Sequence, residues 1–181
     1  MQRVRTDRRR VILLVVIALC VAALLVLLDQ ISKIYLKTLV DRGEFTRFPL
    51  INGIIDISYA ENPGAAWSFL ADKAWAQDFF KILTSVALVA FTALLIWSAI
   101  KGKTFMCIIF AVIIAGAVGN FIDRISYGFV IDFLAVTLFK FPVFNVADSL
   151  MFIGIVLLII DLLFVDDGAL FKKKSKKDEN S

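Results

Sequence analysis

Asp132 lies inside GFVIDFLAV among large apolar neighbours, and Asp148 lies inside FPVFNVADSL, at the opening of a long hydrophobic run. Two carboxyl groups that share one proton can hydrolyse an amide. One deprotonates water while the other protonates or polarises the carbonyl. Like charges a few Å apart cannot both ionise, and a partly apolar site raises the upper pKa further. The chain has no histidine. That removes the Ser-His-Asp triad, the Cys-His pair and the usual zinc site together. Ser-Lys chemistry competes, with Ser32 and Lys33 as the first candidates. Neighbours at i, i+1 on a helix do not face each other, however. Ser68 or Ser149 with Lys33 stays open, with nothing in the sequence to favour it.

Other polar residues fall at the ends of apolar runs or in the segments between them, in chain order Asp29 and Lys33, Asn62, then Asn120, Asp123 and Arg124, then Asn145. Each has a bland alternative. Asp29 and Lys33 are spaced, acid first, for a helical salt bridge. Arg124 can snorkel to headgroups. Asn145 and Asp148 have the spacing of an N-cap and its N3 partner. Asp161 lies deeper in the last apolar run and reads as a helix-contact residue. An ionisable residue at membrane depth is nonetheless a functional hypothesis by default.

The elements that must hold these groups are apolar helices. The 181 residues are 60% hydrophobic, with a mean hydropathy of +0.86, against roughly 45–50% apolar residues in soluble domains. Part of that surface must face lipid. Spans are expected at about 11–28, 80–100, 104–122 and 147–165, each near the ~20 residues that cross a bilayer core. The basic start raises a signal peptide as the rival for the first. DQISK follows it instead of a small-residue cleavage site, so it reads as an uncleaved span. The Arg-rich start, the KGK turn at 101–103 and the KKKSKK tail fall on one side of four spans, expected to be cytoplasmic. Both termini are then inside and these polar residues at the outer face. Basic tails also bind nucleic acid, but beside apolar spans they set topology and touch anionic lipid. Cys20 and Cys107 stand far apart inside apolar runs and suggest neither a disulfide nor a CxxC site.

The outer segment 39–70 has short β-favouring runs broken by Asn-Gly and Asn-Pro-Gly. It predicts a few short strands at the membrane surface. The stretch 71–79, with Trp75, Phe79 and Phe80, predicts an interfacial helix. One domain covers 1–165, and the basic tail 166–181 is expected to be disordered. The fold class is an all-α polytopic membrane protein with a small outer β-sheet region and a surface helix.

The motifs together resemble the lipoprotein signal peptidases (signal peptidase II), aspartic peptidases of the bacterial inner membrane. The pattern DQxSK stands here as Asp29-Gln30-Ile31-Ser32-Lys33, and NxGxAFS as Asn62 to Ser68 with Gly64 in place. GNxxDRxxxGxVxDF matches Gly119-Asn120, Asp123-Arg124, Gly128, Val130 and Asp132-Phe133, and FNxAD matches Phe144 to Asp148. Trp67 departs from the usual Phe, which alters packing or substrate fit modestly. The resemblance implies Asp132 and Asp148 as the catalytic pair. It implies Asn62, Gly116, Asn120, Arg124 and Asn145 at the substrate site, and Asp29 and Lys33 as residues that hold it together or contact substrate. It further implies a movable surface helix and no cofactor or metal. The substrate is then a prolipoprotein whose lipobox Cys carries diacylglyceryl, cut just before that Cys by a monomer in contact with membrane lipid. A small ion- or proton-coupled transporter is the alternative from another class. Its sites belong near the midplane on broken helices, often within inverted repeats. Here the polar residues collect at one face and no repeat is visible.

Overall fold

A computed structural model describes residues 7–64, 73 and 75–165. Four helices in it are long and apolar enough to cross a membrane. Helix α1 spans Arg8–Asp41, with Asp7 accepting from the Arg9 N–H at 3.0 Å as its N-cap. Strands β1, Phe48–Ile51, and β2, Ile55–Asn62, follow. Helices α2, Ala76–Ile100, and α3, Thr104–Ser126, come next, then β3, Val130–Val136. Helix α4, Val146–Ile160, runs on into a π-helical turn at Asp161–Val165.

The boundaries correct the sequence reading at several ends. The first span was expected to stop at 28, but α1 continues to Asp41. No Gly or Pro occurs between 11 and 42 to stop it. Its 34 residues extend about 50 Å, well beyond a ~30 Å hydrocarbon core. Asp29 and Lys33 therefore sit within this continuous helix, past the end expected for the span, with the helical spacing read from the sequence. Helix α2 begins four residues before 80, and α3 ends four beyond 122. Of the stretch expected as a surface helix, 76–79 form the first turn of α2, while 71, 72 and 74 lie outside the described residues. The tail 166–181, Trp67 and Ser68 lie outside them as well.

The sheet is three-stranded, antiparallel, in the order β1-β2-β3. Two strands come from 39–70 as expected. The third, β3, comes from the segment before α4, where a loop was expected. VIDFLAV is rich in β-favouring residues, but it lacks a polar–apolar alternation because both faces of β3 are covered. Ile131, Phe133 and Ala135 are buried on one face, and Val130 and Asp132 on the other. Phe133 packs with Leu36 of α1 and Ile57 of β2, so the C-terminal end of α1 supports the sheet.

Helix α3 is the central one. Met106, Ile109, Phe110, Ile113 and Ala115 pack with Ala18 and Ala22 of α1 and Leu95 of α2. Towards its C-terminal half, at Gly116 and Gly119, the side chains shrink. A Cβ on Gly116 would run into the Ala147 carbonyl oxygen and stand 2.6 Å from Met151 Cγ, and one on Gly119 would stand 2.5 Å from an Asp29 oxygen. The two glycines let α4 and the Asp29 carboxylate come against the α3 backbone.

Candidate active site

Asp132 and Asp148 arrive from different elements, and hydrogen bonds hold those elements in register. The Phe144 carbonyl accepts from the N–H groups of Phe133 (2.9 Å) and Leu134 (2.7 Å), and the Phe144 N–H donates to the Leu134 carbonyl (3.1 Å). The chain thus enters α4 along the edge of β3. Asn145 and Asp148 form a capping box. The Asn145 amide oxygen accepts from the Asp148 N–H at 2.9 Å, and Asp148 Oδ2 accepts from the Asn145 N–H at 3.2 Å. The capping reading and the paired-acid reading are therefore compatible, since the second oxygen, Oδ1, faces elsewhere.

Two asparagine amides connect the acids. Asn145 Nδ2 donates to Asp132 Oδ1 at 2.7 Å and Asn120 Nδ2 donates to Asp148 Oδ1 at 2.7 Å. Asn145 Nδ2 also reaches Asn120 Oδ1 at 3.0 Å and the Ile131 carbonyl at 3.2 Å. The other Asp132 oxygen accepts from Asn62 Nδ2 at 2.9 Å. Asn62 pairs with Val130 and Ala60 with Asp132, so Asn62 and Asp132 are diagonal neighbours on one sheet face. Asp132 is 2% exposed. Burial pushes its carboxyl up to about 7, the negative charge of Asp148 adds to the rise, and the bonds from Asn62 and Asn145 oppose it.

Behind the amides lies a buried ionic cluster. Lys33, Asp29 and Asp123 are each 0% exposed. Lys33 Nζ meets Asp29 Oδ2 at 2.8 Å, Asp123 Oδ2 at 2.9 Å and Asn120 Oδ1 at 3.0 Å. Asp29 Oδ1 accepts from the Ala147 N–H at 2.9 Å, so α1 also caps α4. Asp123 Oδ2 accepts from the Ile131 N–H at 3.1 Å, so α3 holds β3. Gln30, which the sequence reading left out of the site, donates to Asp29, Asp123 and the Gly119 carbonyl at 3.0–3.1 Å. Its signal was available: an amide beside Asp29 at the end of an apolar run.

The serine chemistry finds no geometry among the described residues. Ser32 Oγ donates to the Asp29 carbonyl at 2.7 Å and Ser149 Oγ to the Asn145 carbonyl at 3.0 Å, while Lys33 is enclosed by its three acceptors.

A groove of about 760 Å³ runs away from the acids between α2, α3 and α4. Asn62, Asn120, Arg124, Asp132 and Asp148 line its polar end, and Leu83, Ala87, Phe91, Ile113, Met151 and Ile155 its apolar length. Of the other residues singled out in the sequence, Asn145, Asp29, Lys33 and Asp123 stand behind this wall and Gly116 packs under α4. The Gly64 N–H donates to Asn62 Oδ1 at 3.0 Å. Arg124 reaches the Gly64 and Asn120 carbonyls only at 3.4 Å, lies over the Phe80 ring at 5.2 Å, and has a buried Nε with no partner among the described residues. It leans into the groove with donors to spare. Asp161 is buried at the far end of α4, away from these groups.

Comparison with known proteins finds a family match and several relatives. Residues 21–164 match the family model described as signal peptidase (SPase) II. A lipoprotein signal peptidase of Enterococcus faecalis is 36% identical over 156 residues, covering 86% of this chain and 93% of the relative. One of Chromobacterium violaceum is 39% identical over 146 residues, covering 77% and 86%. One of Staphylococcus aureus is 38% identical over 148 residues, covering 81% and 87%. A bacterial membrane enzyme solved by the in meso method at 2.3 Å resolution superposes with a TM-score of 0.67 at 33% identity, covering 91% of this chain and 93% of that one.

Proposed function

Because this chain belongs to the signal peptidase II family, and is thus a protease and a multi-pass bacterial membrane protein, we propose that it removes the signal peptide from diacylglyceryl-modified prolipoproteins with Asp132 and Asp148 as its catalytic pair. The observation that carries the reading is the joining of these two carboxylates through Asn120 and Asn145 at the polar end of an apolar groove. One carboxylate takes a proton from water as it attacks the carbonyl carbon of the residue before the lipidated Cys. The other carboxyl gives its proton to the carbonyl oxygen. Collapse of the tetrahedral intermediate breaks the C–N bond and returns a proton to the leaving amine. The raised pKa of Asp132 suits the protonated partner at neutral pH.

The groove suits a substrate held by its own apolar segment and acyl chains. Arg124 and Asn62 provide donors for the peptide backbone beside the scissile bond. With the basic flanks inside, the acids stand at the outer boundary of the cytoplasmic membrane, where water reaches them. A purified preparation in detergent, given a diacylated prolipoprotein, should release the signal peptide as a gel shift, and should leave an unlipidated precursor intact. Absence of release, or equal cleavage of both precursors, would refute the assignment. A reporter fused after Lys101 should report the cytoplasm, and one near Asp72 the outside.

A further inference from the structure

The Asn120 amide could face Asp148 with either end, and what decides between them is a residue that touches neither acid. Lys33 Nζ has three N–H donors and no lone pair. All three are directed at oxygens: Asp29 Oδ2, Asp123 Oδ2 and Asn120 Oδ1. Asn120 must present oxygen to Lys33, so its Nδ2 is left to face Asp148 Oδ1, 2.7 Å away. Asn145 cannot fix this alone. Its Nδ2 has two hydrogens and three acceptors in reach, Asn120 Oδ1, Ile131 O and Asp132 Oδ1. It loses little by releasing Asn120.

We propose that Lys33 is a positioning residue, which by taking the Asn120 oxygen commits the Asn120 nitrogen to Asp148 and keeps that carboxylate an acceptor. The inference rests on the reading of Asp132 and Asp148 as the catalytic pair. If Asn120 turned over, two oxygens would face each other at that 2.7 Å separation, and only a proton on Asp148 would reconcile them. The proton that the pair shares would then be drawn to the Asp148–Asn120 contact. The charged groups around Asp148 are Asp29 and Lys33 from α1, Asp123 and Arg124 from α3, and Asp132 from β3. Of these, Lys33 alone bonds the Asn120 side-chain oxygen.

The test uses the full-length enzyme in detergent with diacylated prolipoprotein, measuring kcat and KM across pH. Lys33→Met removes the donor. The triple variant Asp29→Asn, Lys33→Met, Asp123→Asn removes it without leaving buried charges unpaired. The expected result is a fall in kcat of about tenfold or more with KM nearly unchanged, as for loss of transition-state organisation. The acid limb of the pH profile should also move to higher pH. A folded variant with parental kcat and an unmoved acid limb overturns the proposal. So does a loss of thermal stability with unchanged kcat per folded enzyme, which is the purely structural outcome. Asp148→Asn, run in parallel, separates the two levels: if it still cleaves, the catalytic reading itself falls. Should neither Lys33 variant fold, the wild type decides. With 15N-labelled asparagine, the Asn120 side-chain NH2 signal should shift through the pH range in which activity titrates, and a signal that stays put overturns the proposal.

Discussion

Lys33 meets Asp29 at 2.8 Å and Lys37 meets Asp41 at 2.9 Å, two i, i+4 pairs about one turn apart on the same helix. Their contact distances are almost the same and their surroundings are opposite. The first pair is buried at 1% and 0% side-chain exposure; in the second, Lys37 is 23% and Asp41 58% exposed. Water screens the outer pair, and such pairs contribute little to stability. The inner pair has lost its water and depends on every remaining partner: Asp123, Asn120, Gln30 and the N–H groups of Ala147 and Ile131. Breaking one member there strands the others in a low-dielectric interior. The lesson is that an ion pair's consequence follows from what else its partners hold, and the inner pair holds α1, α3, β3 and α4 together beneath the acids.

The comparison makes predictions of decreasing size. The largest effect should fall on the acids that the inner cluster supports. Asp132→Asn and Asp148→Asn should each lower cleavage by roughly a thousandfold or more at normal membrane abundance, with the double variant hardly worse than either single, because groups acting as one unit are non-additive. Residual cleavage at a tenth of the parental rate in either single would break the dyad. Next, Lys33→Met should lower stability by about 3–5 kcal/mol through its stranded carboxylates, read as a depressed unfolding midpoint in detergent. An unchanged midpoint would place Lys33 with Lys37. Arg124→Lys should then reduce cleavage about tenfold or more at normal abundance, since an ammonium cannot reproduce the planar fork; normal turnover would make Arg124 a mere snorkelling group.

Protonation gives a smaller effect with a definite sign. Asp132, raised to about 7 from an ordinary 3.8, binds its proton more tightly folded than unfolded. Its contribution to stability is present below about pH 4 and is lost as pH rises towards 7. Asp132→Asn should therefore gain stability relative to the parent between pH 4 and pH 8, seen as diverging thermal midpoints. Cleavage by the parent should decline above about pH 7 as the shared proton leaves, the apparent value belonging to the pair. Smallest of all, Lys37→Met should leave both the unfolding midpoint and turnover unmoved. A drop comparable to that of Lys33→Met would dissolve the contrast.

The four apolar spans were legible in the sequence because lipid imposes a long, uninterrupted apolar run that few other structures need. Their ends were less so. The signal for a span fades where α1 leaves the lipid, although the helix does not, so the reach to Asp41 was missed. Strand β3 was missed for a related reason: buried on both faces, it lacks the alternation that marks a half-exposed strand. Of the polar residues that line the groove, Asp132 was named from its apolar neighbours, Asn120, Arg124 and Asp148 from the ends of apolar runs, and Asn62 from the outer segment; Thr84 carried no such signal. Gln30 was overlooked because a glutamine just past an apolar run is unremarkable until its three partners are known.

Composition and hydropathy by themselves determined that the chain lives in a membrane, and the order of its polar motifs determined which residues were out of place there. Both are local properties, carried by each segment wherever it goes. Only the tertiary structure decided that Asn120 turns its oxygen to Lys33 and its nitrogen to Asp148. It alone set Asp29 against the start of α4 and made one Lys–Asp pair a buried keystone and its neighbour a solvated surface contact. Those outcomes depend on how closely α1, α3, β3 and α4 approach, which two glycines on α3 permit, and on which groups lose their water when they do.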